Sequence, residues 1–101
     1  MEFRVRTDRQ GAFQVESEQS SPFPLRMRIA ARMMRPDGVR AVGDLQLNDD
    51  DPQPFDLVGG AAAHAFPTPF SIRMGRNSGR ITGRTDPPTP DVELVFDVDR
   101  A

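Results

Sequence analysis

The chain has no cysteine, tryptophan, tyrosine or lysine among its 101 residues, and it has one histidine. Without cysteine there is no disulfide framework and no thiolate nucleophile. With His64 as the sole imidazole, a structural zinc site has no ligand set. No apolar run approaches the ~20 residues of a membrane-spanning helix. The opening Met1-Glu2-Phe3-Arg4-Val5-Arg6 alternates like a strand and lacks the apolar core of a signal peptide. These absences lead to the expectation of a cytoplasmic or virion-associated protein with no membrane contact. Nucleic acid is not the expected partner either. A net charge of −2 gives no global field for a polyanion, and Tyr and Trp stacking platforms are missing.

What remains is distinctive. All 13 basic residues are arginine, set against 15 acidic ones. They fall in blocks: net +3 over residues 25–47 (five Arg, two Asp) and net −4 over residues 48–60 (four Asp). Phe, Leu, Ile and Val together number 23, just above the range typical of disordered chains. One domain over residues 1–101, with one modest core, is expected. Ten prolines and eight glycines suit many short strands with punctuated turns.

Residues 25–47 carry the clearest pattern. Arg35-Pro36-Asp37-Gly38-Val39 fits a three-residue hairpin loop, with Pro at the second turn position and Gly in the left-handed region. If Arg35 faces Val39, then Met33–Ala41, Ala31–Gly43, Ile29–Leu45 and Met27–Leu47 pair on one face. The opposite face then carries Arg26, Arg28, Arg32 and Arg40. A slip of one residue destroys this sorting. A helix over Leu25–Met34 is the rival, since Leu, Arg, Met and Ala favour helix. The matching alternation in Val39–Leu47 favours the hairpin.

Further strands follow from alternation. Glu2–Thr7 and Ala12–Glu18 flank an Asp8–Gly11 turn and suggest a second hairpin, with Phe3, Val5, Phe13 and Val15 inward. Asn48–Pro54 is a loop by composition, and Phe55–Val58 a short strand. Ala61–Ala65 has the composition of one helical turn. Phe70–Met74 and Ile81–Arg84 are expected as strands about a turn at Arg76–Arg80. Three prolines make Thr85–Asp91 a stiff connector, and Val92–Asp99 closes the domain with Val92, Leu94, Phe96 and Val98 on one face. Pro22-Phe23, Pro54-Phe55 and Pro69-Phe70 share a pattern of strand entry, with Phe as the first core residue. The sum is an all-β antiparallel sandwich of about eight short strands around a central hairpin at 25–47.

No constellation of residues nominates a reaction. Asp49, Asp50 and Asp51 have the wrong spacing for a calcium loop, which alternates its acids around a central Gly. They suit a solvated turn. His64 has no sequence partner, and neither Ser71 nor Ser78 sits in a nucleophile elbow. Arg28 and Arg32 form an R-x-x-x-R string, but the Asp/Asn-x-Ser-x-x-Gly element that completes a cyclic-dinucleotide site is missing. The expectation is therefore a non-enzymatic protein-interaction or structural assembly module, without cofactor or metal. Its partner is expected to be a protein or a second copy of itself. The alternative is an anion- or nucleotide-binding domain using Arg26, Arg28, Arg32 and Arg40 as guanidinium forks. Glu93, Asp97 and Asp99 of the last strand are the candidates to neutralise part of that surface by cross-strand pairing.

Overall fold

Alternating apolar and polar positions fold into nine strands and no helix in the computed structural model, which describes residues 1–101. The strands are β1 (Glu2–Arg6), β2 (Ala12–Ser21), β3 (Leu25–Met33), β4 (Arg40–Leu47) and β5 (Gln53–Val58). They continue with β6 (His64–Ala65), β7 (Phe70–Ile72), β8 (Gly75–Asp86) and β9 (Glu93–Arg100). Two antiparallel sheets pack as a sandwich. Sheet one has the order β1-β9-β3, with the short strands β6 and β7 both paired to the outer edge of β3. Sheet two has the order β2-β8-β4-β5.

The core is built from the inward positions of both sheets. Phe96 and Leu94 of β9, Ala31 and Met33 of β3, and Ala41 of β4 are sealed from solvent. Phenylalanines join the two layers. Phe96 stacks on Phe3 at 5.2 Å and meets Phe55 of the opposite sheet edge-on at 5.7 Å. Phe55 in turn touches Phe13 and Phe66 at 6.1 Å each. A core of Phe rather than Tyr carries no hydroxyl that needs a buried partner.

The hairpin expected at 25–47 does not form. β3 lies in sheet one beside β9, with Ile29 opposite Val98, and β4 lies in sheet two between β8 and β5, with Leu45 opposite Ile81. The corner at Pro36-Asp37-Gly38 is real, and Gly38 is left-handed at φ 79°. It links the two layers instead of closing a ladder. The backbone of residues 59–60 separates the arms. Gly59 N–H donates to the Val39 carbonyl at 3.0 Å, and Gly60 N–H donates to the Met33 carbonyl at 3.1 Å. Gly59 packs so tightly on Pro36 that a Cβ there would fall 1.9 Å from the Pro36 oxygen. The apolar residues of both arms still meet, but across the core.

Three further expectations are corrected. The Asp8–Gly11 turn exists, closed by the Asp8 side chain accepting from Gln10 and Ala12 N–H. Its arms separate, however: β1 pairs with β9, and β2 with β8. No turn occurs at Arg76–Arg80, because β8 runs unbroken through these residues between β2 and β4. No helical turn forms at Ala61–Ala65, where His64 and Ala65 instead pair with Ala31 and Ala30.

The chain crosses between layers at a corner where β2–β3 and β7–β8 travel together. Ser21 faces Gly75 on one side of it, and Leu25 faces Ile72 on the other. Between those pairs lie Pro22, Phe23 and Pro24 on one arm but only Arg73 and Met74 on the other. The extra residue is a bulge, the usual device for bending a ribbon from one sheet to the next. Phe55 and Phe70 are the buried strand-entry residues expected, whereas Phe23 sits on this bulge and is 46% exposed.

Candidate functional site

The four arginines nominated from sequence do not share one face. Arg26, Arg28 and Arg32 project from β3 on the outer face of sheet one. Arg40 belongs to β4 in sheet two, on the other side of the molecule, where it forms a two-pronged ion pair with Asp56 of β5. That contact pushes the Arg40 guanidinium pKa further up. Because β3 and β4 lie in different layers, Arg40 stands on sheet two, away from Arg26, Arg28 and Arg32.

On the outer face of sheet one, charges meet in cross-strand rows. Arg4 of β1 bridges Glu2 at 2.9 Å and Glu93, and Arg6 bridges Glu93 at 3.3 Å. Arg32 lies 3.8 Å from Glu2. The hydrogen bond from Arg4 outweighs the opposing effect of burial and holds the Glu2 carboxyl below its ordinary 4.5. Val95 stands on this face between Arg4 and Arg32, yet it is only 3% exposed. The aliphatic stems of the two arginines flank it; the Arg4 head remains exposed, whereas Arg32 Nε is buried without a hydrogen-bond partner. Glu93 of the last strand thus pairs with Arg4 and Arg6 of β1, whereas none of the four nominated arginines is bridged by Glu93, Asp97 or Asp99.

Arg26 and Arg28 are different. Both are exposed, and neither has an ion pair within 4.0 Å. Arg28 stands in register with Asp99, and Ala30 with Asp97, without a bridge in either row. Beside them, a shallow trough of about 210 Å³ runs over Ala30 and Ala65, walled by Pro67 and Pro69 and by the two aspartates. The trough exists because the floor residues are alanines and because the edge strand is interrupted between β6 and β7.

The adjacent corner carries an apolar pair that the sequence pattern did not nominate. Phe23 lies on the bulged arm and Met74 on the facing arm, where Met74 is 69% exposed. The Arg100 guanidinium lies over the Phe23 ring at 5.6 Å. Asn77 holds the corner from beneath. Its Oδ1 accepts from Arg73 N–H and from Asn48 Nδ2, each at 3.0 Å. Its Nδ2 donates to the carbonyls of Arg73 and Gly75 at 2.9 and 3.2 Å. An Asn followed by Ser and Gly reads as a turn in sequence, which hid this role inside a strand.

The remaining candidates are dispersed. Arg76 and Arg80 pair with Glu18 and Glu16 on the outer face of sheet two. Asp49–Asp51 form an exposed turn, and no group of three or more His, Asp or Glu is arranged to hold a metal ion. His64 packs edge-on against Phe66 at 5.1 Å, with Nε2 buried and unpartnered. Ser71 is in register with Arg26, and Ser78 lies in the other sheet opposite Glu18. Neither is a register neighbour of the imidazole.

No protein-family model matches the chain, and no curated protein matches it by sequence. Among solved structures it is similar to the Podospora anserina GH26-CBM35 β-(1,4)-mannanase, with a TM-score of 0.55 and 11% identity. The match covers 90% of this chain and 20% of that one, so the chain spans about a fifth of that enzyme's length. TmCBM61 in complex with β-1,4-galactotriose overlaps 99% of this chain and 69% of its own, at 11% identity and a TM-score of 0.37. At such identity the first likeness speaks to fold alone, and the second is too loose to add to it.

Proposed function

We propose that this chain is a non-catalytic binding module that meets a protein, either a foreign partner or another copy of itself, through the outer face of sheet one and its adjoining corner. One observation carries this reading: Arg26 and Arg28 stand exposed on the outer face with no ion pair within 4.0 Å, while Phe23 and Met74 are exposed at the corner that leads into β3. Aromatic residues, Met and Arg are the types enriched in interfaces and among energetic anchors. The salt-bridged rows around Glu2 and Glu93 form the polar rim such a patch needs. Light scattering on the purified protein at about 20 mM and about 500 mM NaCl tests self-association. An oligomer that dissociates with salt is expected. A monomer at both salts contradicts the self-associating arm.

A second reading follows from the same unpaired guanidiniums. Arg26 and Arg28 project from one strand, two residues apart and on the same face, which suits a phosphate or carboxylate ligand. Titration with pyrophosphate and ATP at low salt tests it. Binding that disappears in Arg26→Ala/Arg28→Ala supports an anion site, and no binding by the wild type removes it. Carbohydrate binding, suggested by the names of the structural neighbours, has less support. Phe23 is the one exposed aromatic side chain, and Arg100 already covers its ring.

A further inference from the structure

We propose that the outer face of sheet one is self-complementary, and that two copies pack this face together about a two-fold axis running along the β3–β9 boundary. The inference rests on the binding role proposed above and names its partner and surface. Arg28 on β3 and Asp99 on β9 are directly opposite, exposed and unbridged. Asp97 is likewise unpaired by any arginine and stands opposite Ala30. A two-fold axis parallel to the strands and midway between β3 and β9 lays the β3 of one copy over the β9 of the other, row for row. Each Arg28 then faces the second copy's Asp99, twice over, which is the signature of an isologous contact. Each Asp97 projects over the second copy's Ala30, at the trough floored by Ala30 and Ala65. Alanines at the centre of the face leave space for the opposing side chains at the ~10 Å spacing of stacked sheets.

The size of the face decides how strong this contact is. Four strands at about 4.8 Å spacing and roughly six residues at about 3.4 Å make roughly 400 Å² per copy, or roughly 800 Å² in total. That is below the ~1,200 Å² at which specific stable interfaces begin. The contact is therefore weak and governed by charge. It should be strong only when the Debye length is long, about 30 Å at 0.01 M salt against about 8 Å at 0.15 M.

Charge reversal with complementation tests it by sedimentation velocity. Wild type is expected to be dimeric at about 10 mM salt. Arg28→Glu alone places Glu against Asp99, and Asp99→Lys alone places Lys against Arg28, so each variant should be monomeric. Mixed in equal amounts they should form a 1:1 heterodimer, since both contacts across the axis become attractive. Arg84→Glu and Asp44→Lys, exposed on sheet two, provide controls that should leave the dimer intact. Circular dichroism confirms that each variant is folded, as expected for exposed positions. A dimer that survives both reversals overturns the proposed face while leaving the binding role standing. A wild type that stays monomeric up to about 500 μM at low salt, a concentration chosen well above the ~μM range of weak specific complexes, overturns this inference and the self-associating arm together.

Discussion

Asn77→Ala should unfasten the corner that presents Phe23 and Met74. The Asn77 side chain is 6% exposed and uses its full amide capacity, accepting twice and donating twice. Alanine leaves the Arg73 N–H, the Asn48 amide and the carbonyls of Arg73 and Gly75 without that partner. At about 0.5–1.5 kcal/mol net per bond, four bonds amount to about 2–6 kcal/mol. Water reaches the exposed rim of the corner and replaces part of this, so about 2–3 kcal/mol is expected. For a domain of this length that lowers Tm by roughly 10–20 °C. Urea titration measures the loss, and hydrogen exchange at the Arg73 amide locates it. Asn77→Asp makes the test sharper. It retains both acceptor bonds but turns an oxygen toward two carbonyl oxygens. The ionised form is disfavoured there, so stability should rise as pH falls and the carboxyl is protonated. A loss under about 0.5 kcal/mol in Asn77→Ala, with unchanged exchange at Arg73, would refute the pinning role.

Other consequences are as direct. Phe96→Ala removes the ring that joins Phe3 to Phe55 and should cost about 3–5 kcal/mol by urea denaturation. Gly83→Ala puts a Cβ 2.5 Å from the Phe13 ring and 2.4 Å from the Val42 carbonyl, and should destabilise by about 1–3 kcal/mol. Because the folded Glu2 carboxyl is held below 4.5, its contribution is present above that pH and is lost as pH falls through the depressed value. Glu2→Gln should therefore flatten the acid limb of the stability curve below pH 4.5, measured by thermal melts across pH. Arg40→Ala, which breaks only the exposed pair with Asp56 on sheet two, should leave any self-association unchanged in light scattering.

For β3, β4 and β9 the buried side was legible from alternation, whereas Val15 of β2, expected inward, is 37% exposed, and β8 runs through residues that read as a turn. Ala31 and Met33, Ala41 and Leu45, and Leu94, Phe96 and Val98 all face inward as their spacing implies. Alternation assigns a face without assigning a neighbour. In a sandwich, Met33 and Ala41 satisfy the same pattern side by side in one sheet or on opposite walls of the core. The deciding contact came from Gly59 and Gly60, some twenty residues downstream, whose amides take the carbonyls a hairpin would have used. The site suffered from the same ambiguity. Arg26 and Arg28 were identified with the right face of β3, but Arg40 followed β4 into the other layer. The shared Pro-Phe strand-entry pattern assigns Phe23 to the core together with Phe55 and Phe70, and Phe23 alone departs from it. What distinguishes it is the one-residue mismatch between the arms of the corner, visible only once both pairings are known.

Amide chemical shifts of the wild type, followed through a dilution series at low salt, test most directly whether the outer face of sheet one is where this chain binds. Concentration-dependent shifts should cluster at Arg26, Arg28, Ala30, Asp97 and Asp99 and vanish at high salt. Shifts confined to the β2–β8 face of sheet two, or a series showing association with no change on β3 and β9, would contradict it.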